Sequence, residues 1–195
     1  MSRGNAIAVA VLILAGVVGW QTLRATAAVP LPVLYSLGGG FALPSTLGRA
    51  VSLADFHGEM VLLNFGYTSC PDVCPTALAR IRDVLKALPD APLQPEFVTL
   101  DPERDTLDRL VPYVGAYDAR FVAATGSAAQ ISDAAAHYHV YSEKRVIDSS
   151  LGYSIDHSGQ IYLLDGDGRV RATFGKSVTV PAMVTTVQQL LREAL

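Results

Sequence analysis

Only two cysteines occur in this 195-residue chain, Cys70 and Cys74, and that scarcity excludes a fold stapled by several disulfides. Stability must come from a buried core, and the length suits one well-buried domain plus a tail better than two domains. Charged residues make up only 17% of the sequence. The net charge is −3 and no basic cluster is present, which argues against nucleic-acid binding. Internal repeats are absent, and no low-complexity run follows the first 28 residues. Proline is missing altogether between Pro112 and Pro181.

One long apolar run is present. Ala6 to Trp20 is an unbroken stretch of fifteen apolar or glycine residues, preceded by Arg3 and followed by Gln21-Thr22-Leu23-Arg24. Carried to Leu23 it would make about 27 Å of helix, at the lower edge of what spans a bilayer. A signal peptide cut near Ala25-Thr26-Ala27-Ala28 and an uncleaved anchor both fit, and the length of the run and the interface-seeking Trp20 favour the anchor. No cysteine follows the run to carry a lipid, and the segment lacks the Arg- and Ser-rich character of a mitochondrial transit peptide. Residues 1–28 are thus read as a membrane anchor or signal segment with its linker, and 29–195 as the folded domain. Because residues 1–28 hold Arg3 and Arg24 and no acid, that domain carries −5. Either reading sends it across a membrane into a compartment where disulfides form.

The two cysteines occupy a distinctive place. Val61-Leu62-Leu63-Asn64-Phe65 has the length and character of a buried strand, Gly66-Tyr67-Thr68-Ser69 reads as a turn, and Pro75 suits the start of a helix. Thiols four residues apart share one face if the segment is helical, with Cα atoms about 6 Å apart, within reach of a disulfide. Cys70 and Cys74 can therefore be oxidised to each other or share one metal ion. A nearby helix N-terminus also favours the thiolate, the form that binds metal and attacks disulfides. The blander alternatives are a small structural disulfide or two inert core cysteines, although a bridge across so short a loop stabilises little.

Hydrophobic spacing organises the rest. Short strands are predicted near Phe41–Pro44 and within Arg49–Phe56, and the core strand at Met60–Phe65. A helix over Pro75 to about Leu88 should end at Pro89, Pro92 and Pro95. A second buried strand at Glu96–Leu100 leads to the loop Asp101-Pro102-Glu103-Arg104-Asp105, read as a brace and cap for a helix from Thr106 to about Val114. A strand at Phe121–Ala124, a helix to Ala136 capped by Ser127, and an extended His139–Val146 come next. Gln160–Leu164 and Arg169–Phe174 flank Asp165-Gly166-Asp167-Gly168, a strong hairpin signal better explained as a turn than as a calcium loop. A last helix is predicted over Pro181–Leu195. This order describes an α/β, thioredoxin-like fold, a central sheet flanked by helices with the dithiol at a strand's carboxyl end.

Three motifs in this chain resemble the Sco/SenC family of copper proteins. They are Phe65-Gly66-Tyr67-Thr68-Ser69-Cys70-Pro71-Asp72-Val73-Cys74-Pro75, Asp101-Pro102-Glu103-Arg104-Asp105-Thr106, and Asp156-His157-Ser158 ahead of Ile161-Tyr162-Leu163. Ser69 departs from the histidine that many members carry, at a position that is not a metal ligand in the family. The resemblance implies a copper chaperone that helps build the dinuclear copper A centre of cytochrome c oxidase. It also implies that Cys70, Cys74 and His157 are the copper ligands.

The chemistry of that donor set agrees. Two thiolates and an imidazole make a soft, low-coordinate site suited to Cu(I), and able to take Cu(II) with an added ligand. Structural zinc prefers four protein ligands, and three are on offer. On pattern alone a histidine in a hairpin loop is most often a solvated surface residue. His157, however, stands before the Gln160–Leu164 strand, where thioredoxin oxidoreductases carry a cis-proline across from the dithiol, and this chain has no proline there.

Asp72, Asp101 and Asp156 are candidates for shaping the site, and a turn role for Asp72 is an equal alternative. His137 and His139 alternate and could face one side of a strand; His57 reads as a turn residue, and Met60 and Met183 as core. The combined expectation is a single-pass protein of the bacterial inner membrane with its folded domain in the periplasm. Its partners would be the copper A-bearing oxidase subunit, a periplasmic copper donor and a thiol reductant. The rivals are a thiol-disulfide oxidoreductase or thiol peroxidase using the dithiol alone, and a scaffold with an inert disulfide.

Overall fold

A computed structural model describes residues 29–194. The apolar run at 6–20, read above as anchor or signal segment, lies outside the described residues. Among the described residues no helix is long and apolar enough to cross a membrane.

Strands β1 (Ala42–Pro44) and β2 (Ala50–Ser52) pair antiparallel and lead through a 3-10 turn at Leu53–Phe56. The apolar run that follows forms β3 (Met60–Gly66), buried at every residue. Next come α1 (Val73–Ala87), β4 (Leu93–Thr99), α2 (Leu107–Gly115), β5 (Val122–Ala124) and α3 (Ala128–His137). The chain closes with β6 (Ser142–Val146), β7 (Tyr153–His157), β8 (Ile161–Leu164), β9 (Val170–Phe174) and α4 (Val180–Glu193). One five-stranded sheet runs β5-β4-β3-β8-β9, parallel among β3, β4 and β5 and antiparallel where β8 meets β3 and β9. β6 and β7 form a separate hairpin.

The alternation of side chains along each strand divides the core. Leu62, Phe97 and Leu163 face one way and pack with Leu78 and Ile81 of α1, Leu110 of α2 and Val187 of α4. Val61, Leu63, Val98 and Tyr162 face the other way, against Ile131 and Ala135 of α3, Tyr138 just after it, and Leu43 and Val51 of β1–β2. A strand buried on both faces carries apolar residues at successive positions rather than at alternate ones, which is why β3 reads as an apolar run broken only by Asn64. Each of these fully buried aliphatic side chains contributes up to about 1.5–3 kcal/mol. The predicted sheet flanked by helices, with its thioredoxin-like order, is what forms.

Several boundaries differ from the sequence reading. The first helix begins at Val73, two residues before Pro75, so Cys74 lies in its first turn while Cys70 stays in the turn before it. The two cysteines therefore do not share a helical face. Proline is tolerated in a first turn because the N–H it lacks has no intrahelical partner there. The second strand starts at Leu93 and runs through Pro95, since pairing with β5 begins only at Glu96↔Val122 and leaves that proline beyond the end of the ladder. Residues Tyr153–His157 form strand β7, where the sequence pattern predicts no strand. His137 ends α3, and His139 follows with a positive φ of 52°, so the pair does not alternate on one strand face.

Candidate metal centre

β3 carries the chain to the cysteine corner at the carboxyl edge of the sheet. Its last residue, Gly66, accepts the Leu100 N–H at 2.7 Å, and the Cys70 N–H then donates to the Tyr67 carbonyl at 3.2 Å to tighten the turn. A Cβ at residue 66 would lie 2.6 Å from Cys74 Sγ and 3.0 Å from the Phe97 ring, so only glycine lets Cys74 seat against β3. Cys74 is 1% exposed and Cys70 8% exposed, placing Cys70 at the rim. Both are free thiols.

His157 arrives on the last residue of β7, paired with Ser142 of β6. Its Nε2 lies 3.1 Å from Cys74 Sγ, and its Nδ1 lies 3.1 Å from the Ile155 carbonyl oxygen. A carbonyl can only accept, so Nδ1 carries the proton and Nε2 turns its lone pair toward the thiols. The ligand atoms of Cys70, Cys74 and His157 all lie within 4.8 Å of one another, a group able to hold a metal ion.

The two thiols differ electrostatically. A hydrogen bond from the Cys74 S–H, supported by the backbone N–H groups of Asp72 and Cys74, brings the Cys70 pKa down to about 5. Donating that hydrogen bond, together with burial, pushes the Cys74 thiol well above its ordinary value. The two sulfurs titrate as a pair, with Cys70 the more readily ionised of the two.

Side chains around this group come from distant parts of the chain. The fully buried Asp105 accepts from the Thr68 N–H at 2.9 Å, the Thr68 hydroxyl at 2.5 Å and the Thr99 hydroxyl at 2.7 Å, tying the turn after β3 to the end of β4. It braces the loop as expected, but it does not cap α2, whose N-cap is Thr106. Asp101 is buried and accepts from Arg104 and from the Tyr153 hydroxyl at 2.7 Å. The Arg104 guanidinium sits 3.7 Å from the Tyr153 ring centre, and the Lys144 ammonium 3.8 Å from it. These contacts fasten the β6–β7 hairpin, and hence His157, to the body of the protein. Tyr67 stands edge-on to His157 with ring centres 5.5 Å apart.

Asp72 supports the site through its backbone N–H, and its carboxylate makes no cap hydrogen bond. Asp156, expected beside the site, is exposed and accepts from Arg145 at 3.3 Å. Alternation along β7 turns it to the face opposite its neighbours Ile155 and His157. His57 is exposed and lies 3.9 Å from Asp167. Met60 and Met183 are core, as expected. Asp165 accepts from the Asp167 and Arg169 N–H groups and pairs with Arg169 and Arg171, a braced turn. The Thr68 partner of Asp105 and the Ile155 partner of Tyr67 lie 37 and 88 residues away, which no local pattern encodes.

The arrangement defines a thioredoxin-fold protein with a Cys-Cys-His group, its cysteines buried and its histidine half-buried, at the carboxyl edge of its sheet. Comparison with known proteins narrows the class. The family model described as SCO1/SenC matches residues 33–192, and the chain belongs to that family. It is 38% identical over 155 residues to Protein SCO2 homolog, mitochondrial, of Mus musculus, covering 77% of this chain and 61% of that protein, so it spans less than two thirds of that relative's length. It is 35% identical over 141 residues to SCO2-like protein RP587 of Rickettsia prowazekii, covering 71% of this chain and 69% of that one. The crystal structure of Arabidopsis thaliana ScoI with copper bound superposes with a TM-score of 0.75 at 31% identity, covering 80% of this chain and 99% of that one. Bradyrhizobium japonicum ScoI with copper bound gives 0.71 at 35% identity, covering 80% and 98%.

Proposed function

We propose that this protein carries one copper ion on Cys70, Cys74 and His157 and passes it to the copper A-bearing subunit of cytochrome c oxidase. The observation that carries the reading is the convergence of two sulfurs and one imidazole nitrogen within 4.8 Å, with the ring tautomer that leaves Nε2 free to coordinate. Such a soft set suits Cu(I), and the copper-bound relatives of similar fold agree with it.

Three protein ligands leave room for an incoming one. A thiolate of the target subunit can bind before the donor lets go, and the rim position of Cys70 makes it the natural first ligand to exchange. A cleft of about 550 Å³ lined by Asp72, Thr76, Arg80, His157 and Lys176 opens on the histidine side of the group, where a partner segment could lie. The N-terminal apolar run would hold the domain at the inner membrane on the periplasmic side, within reach of an oxidase subunit, a copper donor and a thiol reductant.

The Cys70 thiolate favours a second reading, thiol-disulfide exchange on the cysteines of the target. The two separate at His157. Titration of the reduced chain with Cu(I) against a competing chelator should give one tightly held copper per chain, weakened by Cys70→Ser, Cys74→Ser and His157→Ala alike. Copper held equally well by His157→Ala would overturn the carrier reading and leave dithiol redox chemistry.

A further inference from the structure

We infer that the hydroxyl of Tyr67 is a positioning group for His157, a reading that rests on the proposed copper site. Tyr67 touches both halves of the Cys-Cys-His group. Its backbone N–H donates to Cys74 Sγ at 3.4 Å, and its ring packs edge-on against the His157 imidazole. Its hydroxyl oxygen accepts the buried N–H of Ile155 at 3.2 Å.

Ile155 is the residue whose carbonyl takes the Nδ1 proton of His157, 3.1 Å away. It lies opposite Lys144 in the β6–β7 ladder, and its N–H reaches across to the corner that follows β3. The Tyr67 hydroxyl therefore ties the backbone that selects the His157 tautomer to the segment that bears the cysteines. The sheet itself supplies no such tie, because β7 pairs with β6 and belongs to a different sheet from β3. Without the hydroxyl, Ile155 keeps its β6 neighbour but loses its bond to the cysteine corner. The imidazole is then free to rotate or to exchange its ring proton between nitrogens. Groups that orient a metal-binding histidine in this way are typically worth about 10–100-fold in metal affinity.

Tyr67→Phe removes the hydroxyl and keeps the ring, so the core contact and the fold are retained. In the reduced chain we expect this variant to hold Cu(I) about tenfold more weakly than the unaltered chain. In a His157→Ala background, where no imidazole remains to be oriented, the same change should have no further effect. Nitrogen NMR of the metal-free chain gives a reading independent of copper. The His157 ring should be the Nδ1–H tautomer in the unaltered chain and a mixture in Tyr67→Phe. Unchanged affinity, an equal loss in both backgrounds, or a ring unaltered by Tyr67→Phe would each overturn the assignment. A chain that binds no copper at all would sink the proposed function, while the metal-free NMR would still decide the role of Tyr67.

Discussion

The Nε2 atom of His157 lies 3.1 Å from Cys74 Sγ although 83 residues separate the two in sequence. The contact joins the corner after β3 to a hairpin outside the main sheet, so the three donors converge only in the folded chain. Metal that binds the folded chain alone must stabilise it by mass action, by about 4 kcal/mol at a free concentration a thousand times the dissociation constant. For a domain of this size that corresponds to roughly 8–16 °C. Thermal unfolding followed by circular dichroism should show such a rise with Cu(I), reversed by a chelator and much reduced in His157→Ala. An equal rise in His157→Ala would mean that the histidine is not a ligand.

Gly66→Ala should damage the site more than its size suggests. The added methyl would stand 2.6 Å from Cys74 Sγ, with the Phe97 ring 3.0 Å away on the same side, so one of the two has to move. Overpacking of this kind costs about 1–3 kcal/mol. The position of the clash makes Cu(I) affinity fall by at least tenfold as well. Denaturant titration and the chelator competition measure the two losses separately, and stability lost without affinity lost would show that Phe97 alone had yielded.

The uneven sharing of one proton by the thiols gives a distinctive pH profile. Alkylation requires thiolate, so the rate at Cys70 should rise through about pH 5 and be level by pH 7. A thiol at the ordinary value of 9.0 would still be gaining tenfold per pH unit there. Cys74→Ala removes the S–H that holds the thiolate and should move the midpoint upward. Iodoacetamide labelling followed by peptide mapping gives the profile, and a Cys70 rate still climbing between pH 7 and 9 in the unaltered chain would contradict the sharing.

The sheet and the cysteine corner were legible in sequence because local signals determine them. An apolar run broken only by Asn64 marks β3, and the Asp-Gly pairs after Leu164 mark the β8–β9 turn. The start of α1 was misplaced because Pro75 occupies the third helical position, where the pattern alone suggests the first. β7 was invisible for a different reason. Tyr153–His157 has one buried residue, Ile155, and pairs with a β6 exposed along its whole length, so no apolar alternation announces either strand. What holds that hairpin is the Asp101–Arg104–Tyr153 cluster, in which the loop after β4 meets the start of β7 about 50 residues away. The proposed ligand role of His157 comes from family resemblance, since spacing says nothing about a side chain so far from the cysteines. Asp105 was read as a local brace and turned out to clamp Thr68 and Thr99.

Glu96 makes stability depend on pH in a way unconnected with the thiols. It sits in the middle of β4, fully buried, with no hydrogen-bond partner for either carboxylate oxygen, and burial pushes its pKa up to about 8. In the unfolded chain the group ionises near its ordinary 4.5. Between those values the folded chain holds a proton that the unfolded chain has released, so the contribution of this residue to stability is complete below about pH 4.5 and declines toward pH 8. Above that both states are ionised, and the folded state carries an unpaired buried charge. Glu96→Gln cannot ionise and keeps nearly the same shape. Its stability relative to the unaltered chain should therefore climb between pH 5 and 8, by up to a few kcal/mol, and level off beyond. Urea unfolding of both chains at pH 5, 6.5, 8 and 9 measures the difference, and a difference that does not vary with pH would show that Glu96 is ionised in the folded protein throughout.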